Sequence, residues 1–256
     1  PLNEVEAAAF RECRRTFKLH PLVIHDNYLV NLAAGEPVLR TRSIQAFQAE
    51  LKRAQDLAAD YLVAHPGSAG GQDRAQALAN VAAALRQATR GLQLNGLRIL
   101  LENTSGQGSA LGAQLCELAT LIHACPELNL GVCIDTAHLF AAGYDIRTEV
   151  GLEQTLEAVH HAVGLERLKV IHVNDSKVGL GGRLDRHQHI GQGKIGLETF
   201  RRLLHHTALA GKTFILETPI ERKADDERNM RLLRRLAGHR TGRRGVAARN
   251  HRRRKR

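Results

Sequence analysis

Six short apolar runs in this chain each carry an imidazole or a carboxylate at or near the C-terminal end. They are Leu22–His25, Tyr61–His65, Leu97–Glu102, Leu130–Asp135, Leu168–Asn174 with His172 inside it, and Thr213–Glu217. If those ends met in one place, three carboxylates would repel one another and take up protons. Divalent cations remove that cost and give the histidines a role. A nitrogen and oxygen donor set without cysteine suits zinc, and also manganese or iron. Two further elements add donors. Asp135-Thr-Ala-His138 places an acid and a histidine three apart just past a strand, on different sides of one turn, able to serve different ions of one cluster. Asp185-Arg-His187 puts two donors on one side of an extended stretch. It follows the glycine-rich Gly179–Gly182 and precedes Ile190-Gly-Gln-Gly-Lys-Ile-Gly196, so it reads as an ordered site loop.

Singly, each of these residues has a plainer explanation, as a hydrogen-bonded strand end, a helix cap or half of an ion pair. Six in register are hard to reach by that route. The chain has 14 histidines, and the other nine are assigned to ordinary roles. His123, His160, His161, His205 and His206 lie in helical patterns, His239 and His251 in a basic tail, and His20 before a strand. His189 shares a face with His187 and alone has a supporting role in view.

The elements that must hold these donors alternate. Between the apolar runs lie stripes with helical spacing. One is Ile44, Phe47, Leu51, Ala54 and Ala58, with Ser43 as its expected N-cap. A second is Leu111, Leu115, Leu118 and Ile122, a third Leu152, Leu156, Val159 and Val163, and a fourth Leu197, Phe200, Leu203 and Leu204. Strand–helix alternation implies a parallel sheet. No glycine-rich phosphate loop follows the first strand, which disfavours an open nucleotide-binding sheet. At 256 residues, a single TIM-type α/β barrel is favoured, with six clear strands and a short seventh near His187–Ile190. All strand ends would then open on one mouth, where such barrels build their sites.

Composition agrees with a globular chain of 43% hydrophobic and 25% charged residues. No apolar run is long enough for a membrane span, and no secretory signal is visible. Cys13, Cys116, Cys125 and Cys133 show no C-x-x-C spacing and are read as reduced core thiols of a cytoplasmic protein. The net charge of +11 is uneven: residues 239–256 hold nine Lys or Arg and no acid, leaving +2 for the remainder. Residues 1–238 are therefore expected to form the barrel domain, and 239–256 a disordered tail that attracts phosphate.

With these motifs in hand, the chain resembles the endonuclease IV family, the zinc-dependent apurinic/apyrimidinic endonucleases of base-excision repair. The carrying segments are His25-Asp-Asn-Tyr-Leu-Val-Asn31, His65-Pro-Gly67, Leu101-Glu-Asn-Thr-Ser-Gly-Gln-Gly108, Cys133-Ile-Asp-Thr-Ala-His-Leu-Phe-Ala-Ala-Gly-Tyr-Asp145, His172-Val-Asn-Asp-Ser-Lys177, Asp185-Arg-His-Gln-His-Ile-Gly-Gln-Gly193 and Leu216-Glu-Thr-Pro219. The resemblance implies a (β/α)8 barrel and three zinc ions, with manganese or iron as partial substitutes. By motif position, His25 and His65 would hold one zinc, with Glu102 bridging to a second completed by Asp135, His172 and Glu217. His138, Asp185 and His187 would hold the third. Glu102, with Glu217, would orient a metal-held hydroxide toward the phosphorus 5′ to an abasic deoxyribose. The products would be a 3′-hydroxyl and a 5′-deoxyribose phosphate, with trimming of blocked 3′ ends as a further activity. Tyr28 and Leu29 match positions that wedge into the minor groove, and Lys177 and Arg186 are candidate phosphate contacts. The implied partner is double-stranded DNA with abasic sites, met by a monomer in the cytoplasm and nucleoid, with no membrane.

The family's first strand and helix, which precede the segment around Cys13, have no counterpart here. The expected barrel is therefore N-terminally incomplete, with about seven recognisable strands and two exposed sheet edges. Two other functions compete. A sugar isomerase or epimerase of the xylose-isomerase-like barrels would use Glu102, Asp135, His172 and Glu217 around one or two manganese or magnesium ions. A truncated, non-catalytic nucleic-acid binder would rely on the basic tail.

Overall fold

The computed structural model describes residues 2–238. The basic tail, expected to be disordered, lies outside the described residues. In chain order the elements are α1 (Glu4–Thr16), β1 (Val23–His25), α2 (Pro37–Asp56), β2 (Tyr61–Ala64), α3 (Arg74–Thr89), β3 (Arg98–Glu102), α4 (Leu115–Ala124), β4 (Gly131–Asp135), α5 (Thr136–Ala142), α6 (Glu149–Val163), β5 (Leu168–His172), β6 (Asp175–Ser176), β7 (His187–Gln188), α7 (Leu197–His205), β8 (Thr213–Ile215) and α8 (Asp225–Leu236). All six apolar runs form strands, and these make one parallel sheet in the order β1-β2-β3-β4-β5-β8. The helices follow the strands around its outer face, α2 beside α3, α3 beside α4, α4 beside α6, and α7 beside α8.

The strand period of two separates the sheet's faces. Leu62, Ala64, Ile99, Leu101, Val132, Ile134 and Ile171 point outward into the large core shared with the helices. Val63, Leu100, Cys133 and Val170 form a separate small core on the concave side, flanked by Val23, Tyr61 and Ile215. That inner layer is the floor of an incomplete TIM-type barrel. The strands β1 and β8 end the sheet and are only half-buried along their length, whereas every residue of β4 is buried. The open edges expected from the sequence are present.

Five expectations need correction. Ala58 is not part of the first stripe's helix: α2 ends at Asp56, and Ala58 lies beyond it, exposed, with φ +53°. Ser43 is not an N-cap but a buried residue inside α2. Pro37 occupies the first turn, and the Glu36 carboxylate before it accepts from Val38 N at 2.8 Å and Leu39 N at 2.6 Å. Ser43 Oγ instead accepts from Asn31 N at 3.1 Å, so it secures the loop after β1. Leu111 is buried but precedes α4, in the loop that continues through Gly112 and Ala113. The short seventh strand exists at His187–Gln188, but it pairs antiparallel with Asp175–Ser176 in a separate hairpin and is no part of the barrel sheet. Among the cysteines, Cys125 and Cys133 are buried thiols, whereas Cys13 and Cys116 are exposed on helices.

Candidate metal centre

The inner floor and the strand-end donors are one pleat apart. Val23 is followed two residues on by His25, Val63 by His65, Leu100 by Glu102, Cys133 by Asp135, Val170 by His172 and Ile215 by Glu217. A side chain two residues further along a strand points to the same face. The apolar layer inside the sheet therefore dictates that the next layer up is made of imidazoles and carboxylates. His138 comes from the first turn of α5, and Asp185 and His187 come from the loop that becomes β7.

Glu102 is the hub. It is completely buried, and its two carboxylate oxygens face different partners. Oε2 lies 2.9 Å from His25 Nε2 and 3.7 Å from His65 Nε2. Oε1 lies 2.9 Å from His172 Nδ1 and 3.5 Å from His138 Nδ1. His172 Nδ1 is also 3.0 Å from Glu217 Oε2. On the far side, Asp185 reaches His138 Nε2 at 3.2 Å and His187 Nε2 at 3.3 Å. His187 Nε2 is 3.7 Å from Asp135 Oδ2. Donor atoms within 4.8 Å of one another thus form overlapping groups: His25, His65 and Glu102; Glu102, Asp135, His172 and Glu217; and Asp135, His138 and His187. The structure brings all nine sequence-named donors into one contiguous cluster. Asp135 belongs to two of the groups, the one with Glu102, His172 and Glu217 and the one with His138 and His187.

The rings are oriented for cations. His25, His138 and His187 each direct Nδ1 at a backbone carbonyl, of Asp26 at 2.9 Å, Asn103 at 3.0 Å and Glu217 at 3.0 Å. A carbonyl only accepts, so each Nδ1 carries the hydrogen and Nε2 faces the cluster. The buried nitrogens His65 Nδ1, His138 Nε2 and His187 Nε2 make no well-formed hydrogen bond among the described residues. Buried polar atoms are normally paired. Two of them, His138 Nε2 and His187 Nε2, stand beside the Asp185 carboxylate at 3.2 and 3.3 Å, and such an imidazole–carboxylate pairing without a hydrogen bond is what a cation-binding centre requires, so the residues present fit divalent metal ions.

The electrostatics of the protein alone point the same way. Burial opposes charge on His25, but the hydrogen bond and negative charge of Glu102 prevail and raise its pKa to about 9. Burial likewise opposes charge on His138, yet Asp135 and Asp185 bring it to about 10. His65 is pushed down, chiefly by desolvation. Glu102 is held well below the usual carboxylate range by His65 and His172 despite its burial. Burial opposes charge on Asp185 too, but the neighbouring imidazoles of His138 and His187 bring it to about 2. Without metal, imidazolium groups neutralise the carboxylates; binding of cations must displace those protons.

Several supporting residues escaped the sequence reading. Asn103 Oδ1 accepts from Asp135 N at 2.7 Å, and its carbonyl holds His138. Asn174 donates to Asp135 Oδ2 and accepts from Glu217 N at 2.8 Å. Their signal was positional: each asparagine closely follows a donor-bearing strand end. Asp26, 7% exposed, lies 3.6 Å from His25 and is raised to about 7 by burial. Asn31 Oδ1 accepts from Ser68 N and Ala33 N, joining the loop after β1 to His65-Pro-Gly67. A side chain at Gly67 would overlap that oxygen, and its φ is +104°.

Above the cluster opens a cleft of about 530 Å³, lined by Tyr28, His65, His138, Asp185 and Arg186 among others. Tyr28 and Leu29 protrude at its rim, 85% and 69% exposed. Arg186 and Lys177 are exposed on the β6–β7 hairpin, with Lys177 N donating to Arg186 O at 2.9 Å. Seven of the histidines given ordinary roles are described. His20, His123, His160, His161 and His205 are exposed, His206 pairs with Glu153, and His189 is buried against Asn229. His239 and His251 lie outside the described residues.

Comparison with known proteins agrees. The family described as xylose isomerase-like TIM barrel matches residues 1–236, which defines the class of the fold. A D-tagatose 3-epimerase-like protein superposes with a TM-score of 0.73 at 20% identity over 92% of this chain and 84% of its own, a likeness of fold alone. Identity is much higher elsewhere in the class. The probable endonuclease 4 of Solibacter usitatus is 49% identical over 228 residues, 88% of this chain and 79% of that protein. That of Chloroflexus aurantiacus is 47% identical over 239 residues, 92% of this chain and 84% of that protein. The crystal structure of endonuclease IV from Thermus thermophilus superposes with a TM-score of 0.81 at 39% identity, covering 94% of this chain and 84% of that one. The chain belongs to the endonuclease IV family.

Proposed function

We propose that this chain is a zinc-dependent nuclease that cuts duplex DNA on the 5′ side of an abasic site, leaving a 3′-hydroxyl and a 5′-deoxyribose phosphate. The observation that carries the reading is the convergence of nine donors on one mouth, with buried imidazole nitrogens that make no well-formed hydrogen bond. Three zinc ions are the proposed complement: one with His25 and His65, one with Asp135, His172 and Glu217, and one with His138, Asp185 and His187. Bound there, such ions supply Lewis acidity to a phosphoryl oxygen and a water nucleophile at neutral pH.

The chain's own residues do the rest. Glu102 presents one oxygen to the His25–His65 side and the other to the His172–Glu217 side, so it would serve ions on both sides and balance their charge. Glu217, its backbone N anchored on Asn174, faces His172 and shares in orienting the nucleophile. Asn103 holds the backbone of Asp135, and Asn174 holds its carboxylate. Tyr28 and Leu29 fill the gap that an unstacked, flipped abasic nucleotide leaves, and flipping such a nucleotide costs less than flipping an intact one. Arg186 and Lys177 meet backbone phosphates. The protein acts as a monomer in the cytoplasm, reaching the nucleoid through its DNA substrate; no described helix is long and apolar enough to cross a membrane.

A second reading, a sugar epimerase, rests on the group Glu102, Asp135, His172 and Glu217. It leaves the clustering of His25, His65, His138, Asp185 and His187 without a purpose. One experiment separates the two: nicking of an abasic-site duplex by a sample whose metal content is measured. Incision with about three zinc ions per chain supports the nuclease. One or two manganese ions and no incision would overturn it.

A further inference from the structure

Seven of the nine donors lie on barrel strands, immediately past their ends, or on the helix turn fused to one. Asp185 and His187 do not. Their loop is held by the β6–β7 hairpin, and at the base of that hairpin is a carboxylate the mechanism does not use. Asp175 is completely buried, and four backbone N–H groups converge on it. Oδ1 accepts from Ser176 N at 2.8 Å and Ile195 N at 3.0 Å. Oδ2 accepts from Gly191 N at 2.9 Å and Gly193 N at 3.0 Å. The loop of residues 190–196, directly after β7, is thus wrapped around one side chain. Lys194 N closes the wrap on Ser176 O at 2.8 Å, and the hairpin register sets Ser176 opposite His187. Gly193 is required by the wrap, because a Cβ there would overlap Asp175 Oδ1 and the Ser176 carbonyl.

We infer that Asp175 is a positioning residue for the Asp185–His187 half of the centre. This rests on the proposed three-ion reading. A buried carboxylate accepting four N–H groups is stable only in that arrangement, since leaving it or them unpaired is costly. An amide in its place cannot reproduce it. Whichever way the side chain of an Asp175→Asn variant turned, its NH2 would face two N–H donors. The strain would fall on the loop that carries His187 and leave the strand-borne donors untouched.

The test is zinc content at graded, buffered free zinc for the wild-type chain, Asp175→Asn, Gly193→Ala and His187→Ala, with thermal melting of each metal-free chain alongside. Asp175→Asn is expected to keep two zinc ions where wild type keeps three, the third returning at about 10- to 100-fold higher free zinc. Incision should return with it. Gly193→Ala disturbs the same contact without removing a hydrogen-bonding group and should behave alike, which decides the matter if Asp175→Asn fails to fold. Both variants binding three ions as tightly as wild type, or losing all three in parallel, would overturn the inference. A wild-type chain that never binds three, or a His187→Ala variant that keeps three, would instead overturn the reading of the site itself.

Discussion

The two halves of the metal centre are built by different means. Glu102, Asp135 and His172 stand on neighbouring parallel strands and are 0–2% exposed. Asp185 and His187 stand outside the barrel sheet, their side chains 48% and 16% exposed. On the strand side, backbone ladder bonds and the floor of Val63, Leu100, Cys133 and Val170 set each donor's height and direction. On the loop side the same accuracy depends on side-chain-to-backbone hydrogen bonds, from the loop of residues 190–196 to Asp175 and from Asp185 N to Gln107 Oε1 at 2.9 Å. The sheet therefore fixes the donors that converge on Glu102, while the donors at the edge of the mouth are placed by a hairpin and a few such bonds.

That contrast can be broken at graded cost. The largest effect is expected at the shared hub. Glu102→Gln removes one negative charge from between the imidazoles, and incision of an abasic duplex should fall by about a thousandfold or more. Zinc analysis should show loss on the strand side. Asp185→Asn should act on one ion only, lowering its affinity about a hundredfold while two zinc ions stay bound; chelator competition followed by metal analysis checks it.

The third expectation concerns protons. The folded pKa values of His25 and His138, about 9 and 10, lie above the unfolded value of about 6.5. Their stabilisation of the metal-free chain is therefore full below pH about 6.5 and lost as pH rises toward 9 to 10. The depressed carboxylates Asp185, Glu102 and Glu217 contribute above their unfolded range near 4, and that contribution fades as pH falls toward about 2 for Asp185. Melting of the metal-free chain should thus decline as pH rises from about 6.5 toward about 10, where the His25 and His138 contributions are lost. Zinc binding at pH 7 should release protons, which calorimetry in buffers of different ionisation enthalpy would register; no release would mean the imidazoles are neutral without metal.

The smallest effect is expected at the rim. Tyr28→Ala with Leu29→Ala should weaken binding of an abasic duplex by about tenfold while leaving zinc content unchanged. Discrimination against intact duplex should shrink by a similar factor. Unaltered binding would make the two residues ordinary rim side chains.

Much of this site was legible before any coordinates. His25, His65, Glu102, Asp135, His172 and Glu217 could be named because each ends an apolar run, and parallel strands in a barrel share one exit. The strands themselves were found within one or two residues, since a fully apolar stretch of four to six residues has few other uses. The helices α1, α3, α5 and α8 were not drawn. Alanine-rich α3 has a weak stripe and α5 is seven residues long, and tertiary burial rather than pattern stabilises both. The α1 and α8 stripes are pronounced, but they lie outside the apolar runs that the reading followed. The cap of α2 was misplaced to Ser43 because a serine before an apolar stripe is a common start, and the stronger Glu36-Pro37 start lay outside the stripe.

The residue types alone pointed to the chemistry: histidines and carboxylates at strand ends, a donor set suited to divalent cations. Two things waited for the tertiary structure. One was the sharing of Asp135 between two donor groups, beyond the bridging place of Glu102 that the resemblance implied. The other was the hairpin clamp at Asp175, whose four partners span residues 176 to 195. Spacing along a chain fixes which face a side chain takes, but only the approach of separate segments decides which oxygen meets which nitrogen, because those distances are set by packing and not by sequence period.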